Sequence, residues 1–379
     1  MGNFPIKYIQ QKTLDFCSLV LYDTAIIREL KEIHTMSGMR DVANLAGVSL
    51  STVSVVLSDS RKYVSPEVVK KVQEAAAALG YKVPFSKRFV QNAVAVLFPQ
   101  ITSSYFSNVL TGIDEVASES DSMILYYNSN LNFDREKKCV SILKKQKISG
   151  LVLDSACPQE LEQQYLDYLR EEFIARNVPV VFLGRRITDP DFYCVYVDNY
   201  KSSYEETEYL IGRGCKKIAY LIGKSKFSHA IERYQGYLDA LRDHKIEIDE
   251  TIIIQGDYSA LSGYVAMASL LSRGYSVDAL LAANDHMAIG AIKAIKAHGL
   301  RIPQDIAVVG FDNLSISSMI EPSLTTMRPP ALQMGRMAAK IACSADRHTF
   351  EHENEFDVKM VIRKSSDEAC SSEWELTGW

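Results

Sequence analysis

The chain has 379 residues, 47% of them hydrophobic and 23% charged, with a formal net charge of −5. That length exceeds what one core supports, so two or three domains are expected, and the composition excludes a disordered chain. The acidic balance excludes a uniformly basic nucleic-acid coat but leaves room for a local basic module on an acidic body.

Residues 1–37 read unlike the rest of the chain, either as a short helical arm or as sequence ahead of a natural start at Met36 or Met39; no function is assigned to them. The first clear element is Met39–Ala46, MRDVANLA, where Val42, Ala43 and Ala46 form one apolar stripe. Gly47 suits the left-handed position that ends a helix. Ser49 is an N-cap for a second helix with Val53, Val56 and Leu57 facing inward. A third helix starts at SPEVV, with Ser65 as cap, Pro66 in the first position and Glu67 matching the dipole. Its buried stripe is Val68, Val72, Ala75, Ala76 and Leu79, and Gly80 ends it.

Two short helices joined by a tight turn, closed by a third, follow the helix-turn-helix plan. A helix entering the DNA major groove needs small polar side chains in its first turn, which accounts for the serine- and threonine-rich GVSLSTVS. Leu50, Ser51, Ser54, Val55 and Ser58 face outward toward bases; Ser49, Thr52 and Tyr63 are placed for phosphates. Residues 36–90 carry eight basic and four acidic side chains, a net of +4 within a chain of −5. From pattern alone a structural bundle or a protein-docking head remains open beside DNA reading.

The run MRDVANLAGVSLSTVSVVL, followed by VSPEVVKKV and LGY, resembles the headpiece of the lactose-repressor (LacI) family of bacterial transcription regulators. The resemblance implies sequence-specific DNA binding. Two positions depart from the family pattern: Val55 stands where arginine is usual, and Ser58 where asparagine is usual. A missing guanidinium removes a contact worth roughly 1–3 kcal/mol if bidentate to a base, so weaker binding or an unusual operator is expected. The connector at residues 82–92 is shorter than the family's hinge. Lys87 and Arg88 are placed to meet phosphates, while Phe85 and Phe89 either wedge between base pairs or pack onto the following domain.

From Ala93 on, apolar strands alternate with helical stretches: AVAVLFP, MILYYN, GLVLDS, VPVVFLG, VYVDN, KKIAYLIG, TIIIQG, ALLAAND and IAVVGFD. Nearly all-apolar strands between helices indicate parallel sheets covered on both faces, here as two doubly wound α/β halves. The resemblance, which covers residues 38–366, implies a periplasmic-binding-protein-like clamshell of two subdomains. The expected organisation is a head at 38–81, a linker at 82–92, an effector and dimerisation domain at 93–366 and an acidic tail at 367–379.

Such sheets bind ligands beyond the carboxyl ends of their strands, so those ends supply the candidates. Tyr105, Asp154, Arg233, Tyr258, Asp285 and Asp312 combine carboxylates that accept from hydroxyls, a guanidinium fork and stacking rings. They suit a small polyhydroxylated ligand. The resemblance also implies that the arginine of R-x-x-G-Y, Arg233, serves the effector. Plainer roles stand beside these: Asp198 and Asp312 as helix caps, Tyr105 as core, His229 as an ordinary hydrogen-bonded histidine.

No G-x-G-x-x-G follows the first strand, and there is no P-loop or G-x-S-x-G elbow, so an enzyme is not expected. Seven cysteines without a C-x-x-C pair fit free thiols better than disulfides or zinc, and neither metal nor cofactor is expected. No apolar run reaches the roughly 20 residues of a membrane span, and the start is a poor export signal, which disfavours a secreted sugar-binding protein and indicates the cytoplasm. The reading is a homodimeric regulator, a repressor by preference, whose two heads hold a near-palindromic DNA operator under control of a small ligand. A sugar is the first candidate; a nucleobase, nucleoside or phosphorylated sugar stands behind it. A phosphate-bearing ligand calls for more basic residues in the cleft than the sequence places there. A ligand sensor with a degenerate head is the alternative.

Overall fold

The computed structural model describes residues 38–57, 64–81, 93–101, 103–223, 226–344, 346–347 and 349–370. Contacts divide the chain into two units, residues 1–89 and 90–379.

In the first unit, α1 (Met39–Ala46), α2 (Leu50–Leu57) and α3 (Pro66–Ala78) surround a small core of Val42, Ala43, Val53, Val72, Ala75 and Ala76. Burying a valine contributes roughly 1.5–3 kcal/mol, so a head this small depends on each of them. Gly38 N–H donates to Asp41 Oδ2 at 2.7 Å to start α1, and Gly47 ends it at φ 64°. Ser49 Oγ accepts from Thr52 N–H at 3.1 Å, the cap expected for α2. Ser65 sits extended before α3, but its side chain makes no capping bond. Pro66, pre-set for helical φ, and Glu67, matched to the helix dipole, start that helix instead.

The second unit holds two six-stranded sheets. Its elements run β1 (Ala93–Phe98), α4 (Ser104–Glu119), β2 (Met123–Asn128), α5 (Phe133–Leu143), β3 (Gly150–Leu153), α6 (Glu162–Glu172), β4 (Val180–Leu183) and β5 (Tyr193–Val197). Next come α7 (Asn199–Gly212), β6 (Ile218–Ile222), α8 (Ser228–Asp243), β7 (Ile253–Gln255), α9 (Ala260–Ser272), β8 (Ala279–Ala282), α10 (Asp285–Ala297) and β9 (Ala307–Phe311). The chain closes with α11 (Ser315–Met319), β10 (Thr325–Arg328), α12 (Ala331–Cys343), β11 (Glu353–Phe356) and β12 (Lys359–Val361).

The N-terminal subdomain orders its strands β2-β1-β3-β4-β5-β11, and the C-terminal one β7-β6-β8-β9-β10-β12; only β12 runs antiparallel to its neighbour. All nine strands read from the sequence are present. Three short strands, β10 to β12, are not among them.

Strand residues alternate between two cores in each subdomain. In the first, Ala93, Ala95 and Leu97 face α5 and α6, while Val94, Val96 and Phe98 face α4 and α12. In each sheet the topology reverses beside the central strand, between β1 and β3 and between β6 and β8. Connections leave opposite faces there, which opens a crevice at the carboxyl ends. The chain passes between the sheets three times, after β5, after β10 and between β11 and β12. The crevices are therefore tied into one unit. Asp367, expected in the tail, is bound to this unit through Arg213 at 3.1 Å.

Candidate functional site

In the head, Leu50 is 43% exposed and Ser49 and Ser51 are exposed, while Thr52, Ser54 and Val55 are half-buried. The Ser49 hydroxyl contacts those of Ser51 and Thr52 at 2.7 and 2.8 Å, so three hydroxyls cluster at the start of α2. An exposed leucine there is the kind of apolar contact that meets a thymine methyl. Ser58, Tyr63, Phe85, Lys87, Arg88 and Phe89 lie outside the described residues.

The second unit has a cleft of about 750 Å³, counting its open mouth. The N-terminal subdomain contributes Gln100, Ser103, Tyr105, Leu131 and Asp154; the C-terminal one contributes His229, Arg233, Tyr258, Asn284, Phe311 and Asp312. All lie on or just past strand ends, or in the first turns of the helices that come next. Five of the six expected ligand residues meet here.

Arg233 is fixed on three sides. Its Nε donates to Asn199 Oδ1 at 2.9 Å, its Nη1 donates to the Ala283 carbonyl at 2.7 Å, and its guanidinium carbon lies 3.3 Å from the centre of the Phe311 ring. Nη2 has no partner among the described residues. A guanidinium so anchored loses little side-chain freedom when it takes a ligand.

Asp154 and Asp312 accept no hydrogen bond from any described residue. Burial raises Asp154 to about 7, with Arg185 pulling the other way and Glu136 adding to the rise. Burial likewise raises Asp312 to about 8, against the pull of Arg233 and with Asp285 and Asp154 adding to it. Burial and these two acids push the Tyr105 phenol well above its usual range. Asp312 has φ 106° and Tyr258 has φ 72°, conformations that cost of order 1–3 kcal/mol and collect at functional sites. The cap role weighed for Asp312 does not occur, since Leu314 precedes α11; Asp198 does cap α7, accepting from Lys201 N–H at 2.8 Å.

Asp285 is the exception among the six. It is fully buried and accepts from Ser317 Oγ at 2.6 Å, Thr326 Oγ1 at 2.6 Å and Leu314 N–H at 2.8 Å. These bonds hold its carboxylate inside the C-terminal subdomain, away from the cleft. The preceding residue, Asn284, lines the cleft instead and caps α10 by accepting from Met287 N–H at 3.0 Å.

His229, given a plainer role from sequence, lines the cleft. Its Nε2 and the Tyr258 hydroxyl are 3.0 Å apart, and burial with Arg233 and Arg185 nearby lowers it to about 3, so the ring is neutral. Tyr258 packs closely on Gly223, where an added Cβ would come within 2.2 Å of its ring. Asn199, Asn284 and Phe311 complete the site, and strand-end position was the signal for the two asparagines. Phe311, the last residue of an all-apolar strand, carried no signal of its own.

A half-buried set of hydrogen-bonding groups between two hinged α/β subdomains, on a chain that also carries a helix-turn-helix, defines a ligand-binding regulator of transcription. The effector unit matches the family model for periplasmic binding proteins and the sugar-binding domain of the LacI family over residues 91–356, and the head matches the model for bacterial regulatory proteins of the lacI family over residues 38–83. The chain belongs to the LacI family and is a DNA-binding transcription regulator with a small-molecule effector domain, not an enzyme. Among similar proteins, the HTH-type transcriptional repressor PurR of Photorhabdus laumondii is 32% identical over 309 residues, 80% of this chain and 88% of that protein. The structure of a CelR–cellobiose complex is 29% identical, with TM-score 0.64, covering 86% of this chain and 99% of that one. The lac repressor dimer bound to operator and the anti-inducer ONPF is 27% identical, with TM-score 0.69, covering 87% and 98%. Among the described residues no helix is long and apolar enough to cross a membrane.

Proposed function

We propose that this chain is a homodimeric repressor of the bacterial cytoplasm that releases or grips a near-palindromic operator when a neutral sugar occupies the cleft. The observation that carries the sugar reading is the contrast between acids. Asp285 is saturated by three donors, whereas Asp154, Asp312 and the free Nη2 of Arg233 point their hydrogen-bonding capacity at a cavity walled by Tyr105, Tyr258 and Phe311. Sugar hydroxyls donate to carboxylates, their oxygens accept from the guanidinium, and their apolar faces stack on rings. The similar structure bound to cellobiose supports the same class of ligand.

For DNA, Leu50, Ser51, Ser54, Val55 and Ser58 read bases, while Ser49, Thr52, Tyr63, Lys87 and Arg88 hold phosphates. Dimerisation is supported by apolar side chains left exposed on two helices of the C-terminal subdomain, Leu261 at 72% and Val265 at 56% on α9, and Ile316 at 46% and Met319 at 45% on α11. Val55, in place of the usual arginine, favours a second reading in which the head binds DNA weakly and the protein acts chiefly as a sensor.

Selection of bound fragments from random DNA by the purified full-length chain separates the two. Enrichment of a two-half-site sequence supports a working operator-reading dimer. Sequence-blind, salt-sensitive recovery both with and without a panel of sugars would sink it.

A further inference from the structure

Three acids lie buried among the described residues. Glu136 accepts from Ser155 Oγ at 2.6 Å and from Ala156 N–H at 2.5 Å, and Asp285 is held by its three donors. The third, Glu206 on α7, is 2% exposed, and its Oε1 accepts no hydrogen bond from any described residue. Buried polar groups are almost always satisfied, so an orphan acid calls for a reason. Its place on the helix supplies one. Asn199, Ser203 and Glu206 stand at i, i+4 and i+7 of α7, share one face and are all buried. Asn199 lines the cleft and accepts from Arg233 Nε at 2.9 Å, so this polar seam begins at the effector groups and runs inward about two turns to Glu206. Tyr220 of β6 faces Ser203 and Glu206, and neither the Ser203 nor the Tyr220 oxygen makes a well-formed hydrogen bond. Helices α7 and α8 hold the seam closed: a Cβ on Gly236, one turn after Arg233, would lie 2.2 Å from the Tyr200 carbonyl oxygen.

We propose that Glu206 is a positioning residue of the effector site, acting on the ligand through Arg233: whether it carries its proton decides how much of the Arg233 charge faces the cleft. The inference rests on the cleft being the effector site. Arg233 on α8 is the cation near Glu206; the acids are Asp285 on α10, Asp312 after β9 and Glu205 beside it on α7. Burial pushes the Glu206 carboxyl well above the usual carboxylate range, Arg233 pulls it down, and the three acids add to the rise. With its proton, Glu206 is neutral and leaves the guanidinium to ligand oxygens at Nη2. Once the proton has gone to solvent, the carboxylate draws on the same cation through a medium of low dielectric, where that attraction is strong. Effector affinity therefore falls as pH rises through the Glu206 titration.

The test needs no ligand, so a cleft that refuses every sugar does not imitate a failed result. The Nε–H resonance of Arg233, recognised by its loss in Arg233→Lys, is followed by ¹⁵N NMR on the full-length chain between about pH 6 and about pH 10, above the ordinary glutamate range. A displacement with pH is expected that is absent in Glu206→Gln and retained in Asp312→Asn, which removes the other acid near Arg233 that titrates in this window. Thermal melts give a second reading. An acid raised on folding contributes stability that is lost as pH rises from about 4.3 toward its folded value. Glu206→Gln is therefore expected to gain steadily on the natural chain as pH rises, and to keep gaining to higher pH when Arg233→Met is added to both. A role in packing alone would shift stability equally at every pH. An Arg233 resonance that moves identically in Glu206→Gln, or does not move at all, overturns the proposal. So does a stability gap that is flat with pH or blind to Arg233→Met.

Discussion

Arg233 combines a rigid setting with one uncommitted nitrogen, which makes it the sharpest single-residue probe of the cleft. Replacing it by alanine is expected to weaken the effector by about 2–3 kcal/mol, the range of hydrogen bonds to a charged group, and to abolish the ligand response while leaving ligand-free operator affinity intact. An unchanged response in a DNA-binding titration removes Arg233 from the site. The two unpaired acids make a separate prediction about pH. Asp154 and Asp312 titrate near 7 and 8 in the folded chain, but near 3.9 when unfolded. The folded state therefore holds more protons through this window, and the ligand-free chain loses stability as pH rises toward about 8. His229, lowered to about 3, acts in the opposite sense, with stability falling as pH drops below about 6.5, so its effect lies outside the upper window. Thermal melts from about pH 6.5 to 8.5 should show Asp312→Asn more stable than the natural chain, with the gap widening as pH rises. A gap that narrows contradicts the buried, unpaired state of this carboxylate. At this scale sequence reading went wrong at Asp285, because a strand end followed by a helix start offers adjacent polar residues. Which of Asn284 and Asp285 enters the cleft depends on backbone direction, which residue type does not reveal.

The elements were most legible where burial is two-sided. Seven of the nine strands read from sequence are buried along nearly their whole length because helices cover both faces, while β2 and β7 lie at sheet edges and are only partly buried. β11 and β12 sit at sheet edges and β10 lies between β9 and β12, with sequences ENEF, KMV and TTMR, too short and polar to carry that pattern. Helix crossings were also invisible in the sequence. α4 and α12 meet through Gly112 and Gly335: a Cβ on Gly112 would lie 2.1 Å from the Leu332 carbonyl oxygen, and one on Gly335 the same distance from that of Val109. Gly335→Ala is expected to cost about 1–3 kcal/mol by forcing these helices apart. Because α4 begins beside Tyr105, effector affinity should fall with the melting temperature; an unchanged melting temperature contradicts so close a crossing. In the head, Val55→Arg on α2 is expected to tighten operator binding by about 1–3 kcal/mol if the guanidinium regains a base contact. Looser binding in a mobility-shift titration would show that the valine itself reads a base.

The effector unit works as a whole because its two sheets are joined by three crossovers and touch across the cleft. Ala156 from the N-terminal subdomain packs with Phe227 and Ala230 from the C-terminal one, flanked by Leu131 and Tyr258. This apolar patch holds the two walls together beside the ligand groups. Phe227→Ala removes most of it and empties a fully buried ring site, so effector affinity is expected to fall at least tenfold and stability by about 3–5 kcal/mol; unchanged affinity would mean the patch does not take part in closure. The architecture itself followed from alternating strands and helices. The pairing across the cleft did not, since Ala156 and Phe227 carry no periodic signal that links one to the other. Ligand can shift operator affinity only if it binds one arrangement of the subdomains more tightly than the other. The most direct measurement is therefore operator affinity of the full-length chain, on the site recovered from random DNA, with and without saturating sugar. A change of at least about fivefold, lost in Arg233→Ala, is the predicted result. A sugar that demonstrably binds the cleft yet leaves operator affinity unchanged would contradict ligand-gated regulation by this chain.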